Sequence, residues 1–305
     1  MSVLIIGELL IDLISKEYAK DLSQAESFER HFGGSPANIA MNLIDLGIKP
    51  FLISRVGNDS FGKAIIKRLK ERKIEVKNIQ FDRSEPTSMV LVSRSKKSPD
   101  FLPLRGADFR LEFPADASQL VKNVNFVHFS SWAISREPAR SVTLRLLKMA
   151  KERRVKICFD PNYREILWEK GEDGRTFIKK LLKGIFLVKP SLDDARCLFG
   201  DMNEKKYVQI FHDLGVENVV LTLGEDGVIV SNGKEMRKFP SLAKKVVDST
   251  GAGDAFWSGM YYALLKGKNV FEAAVFGSVA AAFRVETVGA DAPLLPVEKL
   301  LKRYT

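Results

Sequence analysis

The segment FVHFSSWAISREPARSVTLRLLKMAKERRVKICFD, residues 126–160, contains a complete strand–helix–strand unit. Its two ends, 126–129 and 156–160, are short apolar runs, as expected for strands that are covered on both faces. Between them, VTLRLLKMA repeats apolar residues every three or four positions, which predicts a helix over 138–151. A helix between two buried strands is typical of an α/β fold with a parallel sheet.

The same alternation continues along most of the 305 residues. Further strands are predicted at 3–6, 51–56, 89–93, 187–189, 219–223 and 228–231, and further helices at 38–46, 61–72, 176–183, 191–199, 204–214, 253–266 and 270–285. The sequence therefore predicts one domain, 1–305, with a three-layer, doubly wound, mostly parallel sheet. Residues 14–32 and 80–109 break the pattern with short strands, turns and charges, and we expect them to form a small β lid over the main sheet.

Composition excludes several classes of protein. The chain is 45% hydrophobic and carries a net charge of +10, but its basic residues lie along helices beside acids, as in solvated helix faces. We therefore expect no nucleic-acid partner. No apolar run is long enough to cross a bilayer, and the N-terminal stretch lacks the basic start of a signal peptide, so we expect a cytoplasmic protein with no membrane partner.

Two glycine-rich segments resemble nucleotide-binding loops to different degrees. GNDSFGKA, residues 57–64, nearly fits the P-loop pattern, but Ala64 stands where a hydroxyl should hold Mg²⁺, so a simple strand-to-helix turn is favoured. DSTGAGDAFWSGMYYALLKG, residues 248–267, predicts a helix beginning near Gly253. The free N–H groups at such a helix start favour an anion. Taken alone, this loop fits an anion site and a capped glycine turn equally well.

Several motifs together resemble the PfkB (ribokinase-like) carbohydrate kinases. GGSPANIAMNLIDLGIKPFLISRVG, residues 33–57, is similar to the family's N-terminal signature, and DSTGAGDAFWSGM, residues 248–260, to its C-terminal one. VGNDSFG, FDPNYR and LTLGEDG occur in the family's order, so the resemblance covers nearly the whole chain. It implies a ribokinase-like fold and an enzyme that transfers the γ-phosphate of ATP to a sugar hydroxyl with Mg²⁺ as cofactor.

The resemblance also implies roles for individual residues. Asp254 would act as general base, kept ionised by the helix dipole, and the anion hole would be Gly251, Ala252 and Gly253. The residues implied in sugar binding are Asp12, Gly33, Gly34, Asn38, Arg105 and Arg164. A helix cap at Asn38, a salt bridge within the lid at Arg105 and a surface position for Arg164 are the structural alternatives.

On the nucleotide side, the residues implied in ATP binding are Lys189, Ser191, Thr222, Gly224, Gly227 and Ser278. Family members often show N-x-x-E after the strand at Lys189, whereas this chain has Ser191 and Asp194. Asp194 would reach Mg²⁺ through water, with helix capping by Ser191 as the alternative. GEDG, residues 224–227, also fits a hairpin turn. Asp248 and the loop ETVGADAP resemble the site of a monovalent cation such as K⁺ in several members.

The segments LPLRGADFRLE, SSWAISREPARS and FDPNYREILWEK are most similar to the fructokinase branch, so fructose is the expected acceptor. The alternatives are 2-keto-3-deoxygluconate kinase, then ribokinase or nucleoside kinase. A protein of a different class, which binds a sugar or a nucleic acid without catalysis, is disfavoured by Asp254 and the glycine loop. Family members often dimerise through the lid sheet, and an exposed lid edge suggests a homodimer here.

Overall fold

The computed structural model describes residues 2–94, 100–287, 289 and 292–304. Its strands are β1 Val3–Ile6, β2 Leu10–Tyr18, β3 Phe28–Gly33, β4 Phe51–Gly57, β5 Ile79–Asp82, β6 Met89–Arg94, β7 Phe101–Leu104, β8 Phe126–Ser130, β9 Lys156–Asp160, β10 Leu187–Val188, β11 Asn218–Thr222, β12 Val228–Ser231 and β13 Met236–Phe239. Its helices are α1 Ser35–Asp45, α2 Ser60–Glu71, α3 Ala117–Lys122, α4 Ala139–Glu152, α5 Gly174–Leu181, α6 Leu192–Phe199, α7 Glu204–Asp213, α8 Ala252–Leu265, α9 Val270–Val285 and α10 Val297–Tyr304.

The main sheet has the strand order β13-β12-β11-β10-β9-β8-β1-β4-β5. It is parallel from β11 to β5, and only β12 and β13 run antiparallel to their neighbours. Alternate residues of β1 enter opposite hydrophobic cores: Leu4 packs on one side of the sheet and Ile5 on the other. Helices cover both faces, which confirms the predicted three-layer, mostly parallel α/β fold.

A second sheet of four strands has the order β3-β2-β6-β7. It starts at Leu10, earlier than the predicted lid segment, and β5 pairs with β4 in the main sheet instead. Ile79 of β5 is buried in a hydrophobic core of the main sheet, which explains why β5 pairs with β4. Alternation reveals a strand but does not reveal its partner. Residues 95–99 of the expected lid lie outside the described part.

The observed helix limits differ from the predicted ones by a few residues at most. The largest difference is at the start of α1. Helix α1 begins at Ser35 rather than at residue 38, because Gly34 takes a φ of 102° as its N-cap and Pro36 suits the first turn. The short helices α3 and α10 were not predicted. Within the described ranges, none of the helices has the length and apolar character that crossing a membrane requires.

Candidate active site

Helix α8 starts at the edge of the main sheet where the parallel strands end. Gly251 caps it in the left-handed conformation, with a φ of 75°. Trp257 and Tyr261 are fully buried and hold the helix against the core, while Gly253 at its start is exposed. The N-terminus of α8 is therefore a rigid, accessible position.

Asp254, in the first turn of α8, is bound to helix α1. The Ser35 hydroxyl donates to Asp254 Oδ1 at 2.5 Å, and the Asn38 amide donates to Oδ2 at 2.9 Å. Asn38 lies inside α1, so the alternative that it caps this helix is wrong; Gly34 is the N-cap. The structure thus joins the two signature segments, 219 residues apart, at one carboxylate.

The environment of Asp254 sets its protonation. Burial raises its pKa to about 6, and the hydrogen bonds from Ser35 and Asn38 oppose that rise. The helix dipole was expected to keep Asp254 ionised; in the structure, these two donors also favour the ionised form. A pKa near 6 leaves most of the carboxylate ionised at pH 7 while keeping it able to accept a proton.

The glycine loop offers fewer amide donors than expected. The Ala252 N–H donates to the Ser249 carbonyl oxygen at 3.2 Å and is already used by the turn. Among the described residues, the N–H groups of Gly251 and Gly253 have no acceptor. The side chain of Lys189 lies beside these N–H groups, with its Nζ 3.5 Å from the point where a Cβ on Gly253 would be. The loop can therefore bind an anion.

Lys189 belongs to a buried ion pair that sequence reasoning did not find. Its Nζ lies 3.3 Å from Asp160 Oδ2, and the Trp257 indole donates to the same oxygen at 2.7 Å. Lys189 and Asp160 are 4% and 8% exposed. The available signal was the position of Asp160 at the carboxyl end of a buried strand, in FDPNYR.

Two further carboxyl groups lie near Asp254. Asp12 projects over Gly33, where a Cβ would come within 2.2 Å of Asp12 Oδ2, so a larger residue at position 33 would displace this carboxylate. Burial and the charge of Asp254 raise the pKa of Asp12 to about 7. Glu8, which is not among the predicted site residues, accepts from the Ser35 N–H at 3.3 Å, and burial raises its pKa to about 8.

Arg105 is engaged in a buried network rather than free for a ligand. Its Nε and Nη2 donate to Asp108 at 2.9 and 2.5 Å, and its remaining donors reach Ser135 Oγ and the carbonyl oxygens of Leu167 and Trp132. All five N–H groups of the guanidinium are thereby used. The structure shows the alternative of a salt bridge within the lid, and a direct contact of Arg105 with the sugar stays a prediction.

Arg164 is half exposed, as its surface alternative anticipated. Its Nη1 donates to the Tyr163 carbonyl oxygen at 2.9 Å and lies 3.9 Å from Asp194. Asp194 is enclosed: Ser191 donates to it from N and Oγ, and the Tyr163 N–H donates at 2.8 Å. Ser191 also caps α6 in a capping box with Asp194, so the capping alternative is correct for Ser191.

The other residues expected at the nucleotide lie around the β11–β12 hairpin and α9. Thr222 ends β11, and its hydroxyl donates to Pro190 at 3.3 Å. Gly224 and Gly227 have φ values of 62° and 89°, and a Cβ on Gly227 would come within 2.1 Å of the Phe239 carbonyl oxygen. Both glycines are therefore required by the turn itself. Ser278 is half-buried on α9.

Asp248 connects the glycine loop to the loop after α9. It accepts from the N–H groups of Thr250 at 2.9 Å and Gly289 at 3.1 Å. Burial alone would raise its pKa, but these hydrogen bonds hold the pKa of Asp248 below its usual value. The expected monovalent-cation loop includes residues 288, 290 and 291, which lie outside the described residues.

Comparison with known proteins agrees with the function that the geometry of the site suggests. The model of the pfkB family of carbohydrate kinases matches residues 1–297. An ATP-dependent 6-phosphofructokinase from Thermoanaerobacterium thermosaccharolyticum is 45% identical over 99% of this chain and 93% of its own length. The fructokinase structure from Halothermothrix orenii is 40% identical with a TM-score of 0.83, covering 95% of this chain and 99% of that one.

A fructokinase structure from Vibrio cholerae with fructose, ADP and potassium ion bound is 26% identical with a TM-score of 0.85, covering 100% of this chain and 98% of that one. A sugar kinase from Pyrococcus horikoshii, solved with ATP, is 30% identical with a TM-score of 0.83 and covers 98% and 97%. From the family match over nearly its full length and from these relatives, the chain belongs to the pfkB family of carbohydrate kinases and is a sugar kinase.

Proposed function

We propose that this chain is a cytoplasmic, ATP-dependent fructokinase that transfers the γ-phosphate to a hydroxyl of fructose. The observation that carries the mechanism is the position of Asp254, between the donors of α1 and the free amides of Gly251 and Gly253. Fructokinases are among the similar proteins at both the sequence and the structure level. Asp12, Gly33, Gly34 and Asn38 are proposed to surround the sugar.

In this mechanism Asp254 accepts the proton of the attacking hydroxyl. Each of its oxygens keeps a second lone pair after bonding Ser35 or Asn38, so a sugar hydroxyl can donate to it. The negative charge on the transferring phosphoryl group is stabilised by the amides of Gly251 and Gly253 and by the ammonium group of Lys189. Because the transition state is loose, holding the partners in line and neutralising charge are the main contributions of the protein.

Magnesium fits this site as an ion held by ATP phosphates and water. Among the described residues, no three of His, Cys, Asp or Glu are grouped as ligands. Asp194 already accepts three hydrogen bonds from Ser191 and Tyr163, so a water-mediated contact suits it. Mg²⁺ bound to the nucleotide would neutralise phosphate charge. We propose the adenosine to lie near Thr222, Gly224, Gly227 and Ser278, with Arg164 towards the phosphates; K⁺ near Asp248 remains a prediction.

Fructose 6-phosphate is a second candidate acceptor, because the 45% identical relative is named a 6-phosphofructokinase. A coupled assay of ADP release should be run with fructose, fructose 6-phosphate, 2-keto-3-deoxygluconate, ribose and adenosine, with Mg²⁺, and with and without K⁺. We expect fructose or its 6-phosphate to have the highest kcat/KM. Higher values for 2-keto-3-deoxygluconate, ribose or adenosine would contradict the proposed acceptor.

The pH dependence of kcat/KM should report the pKa of Asp254. Below pH 6 the base becomes protonated, so kcat/KM should fall about tenfold per pH unit on the acidic side. The Ser35→Ala variant loses a hydrogen bond to the ionised form, which is worth about 1.5–3 kcal/mol, so this limb should move up by about one pH unit or more.

Ser258→Ala is the matched control for Ser35→Ala, since the Ser258 hydroxyl donates to the Asp254 carbonyl oxygen and not to its carboxylate. A loss of activity in Ser35→Ala that is equal at every pH would contradict the assignment of the limb to Asp254.

We also propose a homodimer formed through the outer face of the small sheet. Leu13 pairs with Leu91, and Leu91 with Leu102, so these residues form one cross-strand row. Leu102 and Leu104 share that face and are 41% and 46% exposed. Asp12, one residue from Leu13, projects from the opposite face.

The Leu102→Glu/Leu104→Glu variant should be monomeric at concentrations where the unmodified protein is a dimer, as measured by light scattering. Two charges within an apolar interface are costly to bury. Ile166→Glu, at a position 53% exposed on another surface, should leave the mass unchanged. A dimer that persists in the double variant would disprove this interface.

A further inference from the structure

Trp257 lies directly behind the glycine loop. It follows Gly253 by four residues in α8, so the two positions lie one above the other on the same side of the helix. Its side chain is fully buried, and its indole Nε1 donates to Asp160 Oδ2 at 2.7 Å. Asp160 is the last residue of β9. The indole N–H therefore connects the helix that carries Asp254 to the carboxyl end of the main sheet.

The Trp257 ring is held in one orientation by two aromatic neighbours. Tyr261, one turn further along α8, stacks on it with ring centroids 5.3 Å apart and planes inclined by 17°. His128 of β8 meets it edge-on at 4.9 Å, and His128 Nδ1 is hydrogen-bonded to the Tyr261 hydroxyl at 2.8 Å. Burial lowers the pKa of His128 to about 4, so the imidazole is neutral at pH 7. The direction of the indole N–H is therefore fixed by packing.

Asp160 Oδ2 is shared between the indole of Trp257 and the ammonium group of Lys189. The indole bond of 2.7 Å is short for a neutral N–H donor, whereas Lys189 Nζ stays 3.3 Å away, beyond the usual length of a charge-assisted hydrogen bond. Lys189 Nζ also lies over the Trp257 ring, 5.6 Å from its centroid. An ammonium group has three N–H donors, so Lys189 keeps donors for a ligand beside Gly253.

The sharing of Asp160 matters because negative charge is concentrated in this part of the molecule. Burial raises the pKa of both Asp194 and Asp254, and the charge of Asp160 adds to each rise. A phosphoryl group at the glycine loop would bring further negative charge. Lys189 can stabilise that charge only if Asp160 does not hold the ammonium group completely. A carboxylate that already accepts a short indole hydrogen bond attracts the ammonium less strongly.

We propose that Trp257 is a positioning residue for phosphoryl transfer: its indole N–H binds Asp160 and so leaves the ammonium group of Lys189 able to turn towards a phosphoryl group at the glycine loop. This inference rests on the proposed function, in which Lys189 stabilises the transferring group. Because Trp257 is fully buried, it acts through Lys189 and not by contact with a ligand. No bond to Trp257 forms or breaks in the reaction.

The kinetic test is Trp257→Phe, made in the unmodified protein and in Lys189→Met. Phenylalanine keeps a buried ring but has no N–H donor. In the unmodified protein kcat with the preferred sugar should fall about tenfold, as for partial loss of a hydrogen bond to a charged group, while KM changes less than about twofold. In Lys189→Met the same replacement should lower kcat less than about twofold, since Trp257 acts only through Lys189.

Tyr261→Phe is the matched control in the same buried cluster. It removes the hydroxyl that bonds to His128 and keeps the ring that stacks on Trp257. Its Tm should fall, because His128 loses a buried partner, while its kcat should stay within about twofold of the unmodified value. An equal fall of kcat on Trp257→Phe in both backgrounds would show that Trp257 only supports the helix. An unchanged kcat in the unmodified background would equally overturn the inference.

Nuclear magnetic resonance of the indole groups tests the sharing of Asp160 without activity. It needs no change at position 257, so it also serves if Trp257→Phe does not fold. The chain has three tryptophans, and Trp132→Phe and Trp168→Phe assign the Trp257 resonance by elimination. At pH 8 the Trp257 indole proton should move downfield in Lys189→Met, because Asp160 then has the indole as its remaining donor of the two.

An indole resonance that does not move in Lys189→Met would disprove the sharing and with it the inference. The outcome is independent of the proposed function. If the unmodified protein phosphorylates no sugar, the proposed function fails, whereas the resonance still decides whether Trp257 and Lys189 share Asp160.

Discussion

Replacing Asp254 with asparagine should lower kcat by about 10²–10⁴-fold, the contribution typical of a positioned general base. The amide has the size of the carboxylate and can still contact Ser35 or Asn38, but it cannot accept the proton of the sugar hydroxyl. The measurement is steady-state ADP release with the preferred sugar at saturation, at pH 8, where Asp254 of the unmodified protein is ionised.

The stability of Asp254→Asn distinguishes lost chemistry from lost structure. The pKa of Asp254 is raised in the folded state, so ionisation of this carboxyl costs stability at pH values above the unfolded pKa. A neutral amide removes that cost, and Tm at pH 8 should be equal or higher. Asp213→Asn, at an exposed position of α7, should change neither kcat nor Tm. A kcat within tenfold of the unmodified value would remove Asp254 from the role of base.

Replacing Lys189 with methionine should have the second largest effect, on both catalysis and stability. The lysine supplies a positive charge beside the glycine loop, and loss of one preorganised donor of this kind typically lowers kcat by about 10²–10³-fold. The same change leaves Asp160 buried without its cation, which costs about 3–5 kcal/mol of unfolding free energy. Urea unfolding and kcat together measure the two effects.

A double variant separates the two roles of Lys189. In Lys189→Met/Asp160→Asn no unpaired charge remains, and the amide oxygen at position 160 can still accept from the Trp257 indole. We expect most of the stability to return while kcat stays low. Recovery of kcat together with stability would show that Lys189 is a structural residue only.

The fold was predictable from local patterns, with particular exceptions. Strands β1, β8, β9 and β12 are buried along their whole length or nearly so, and such apolar runs are visible in sequence. The small sheet was predicted as a lid, but its strand β2 was not seen as starting at Leu10. Strand β2 follows β1 after only three residues. Asp12 is the first charged residue in it, so the alternation of apolar and polar residues starts late.

Some residues of the candidate site were predicted from the sequence and others were not. Asp254, the glycine loop and Asn38 were predicted because their motifs are contiguous in sequence. Glu8, Ser35 and Asp160 were not, since each acts through a contact with a residue far along the chain. Arg105 was assigned to the sugar because of its type and neighbourhood; only the positions of Asp108 and Ser135 show that its donors are already used.

The alternation of apolar strands and helices and the two glycine signatures can be read from the sequence, because they depend on residues that are near one another in the chain. The pairing of charges follows only from the tertiary structure. The tertiary structure joined Ser35 to Asp254, Lys189 to Asp160 and Arg105 to Asp108. Electrostatic energy depends on distance and burial, and both are set by packing between residues that no local pattern connects.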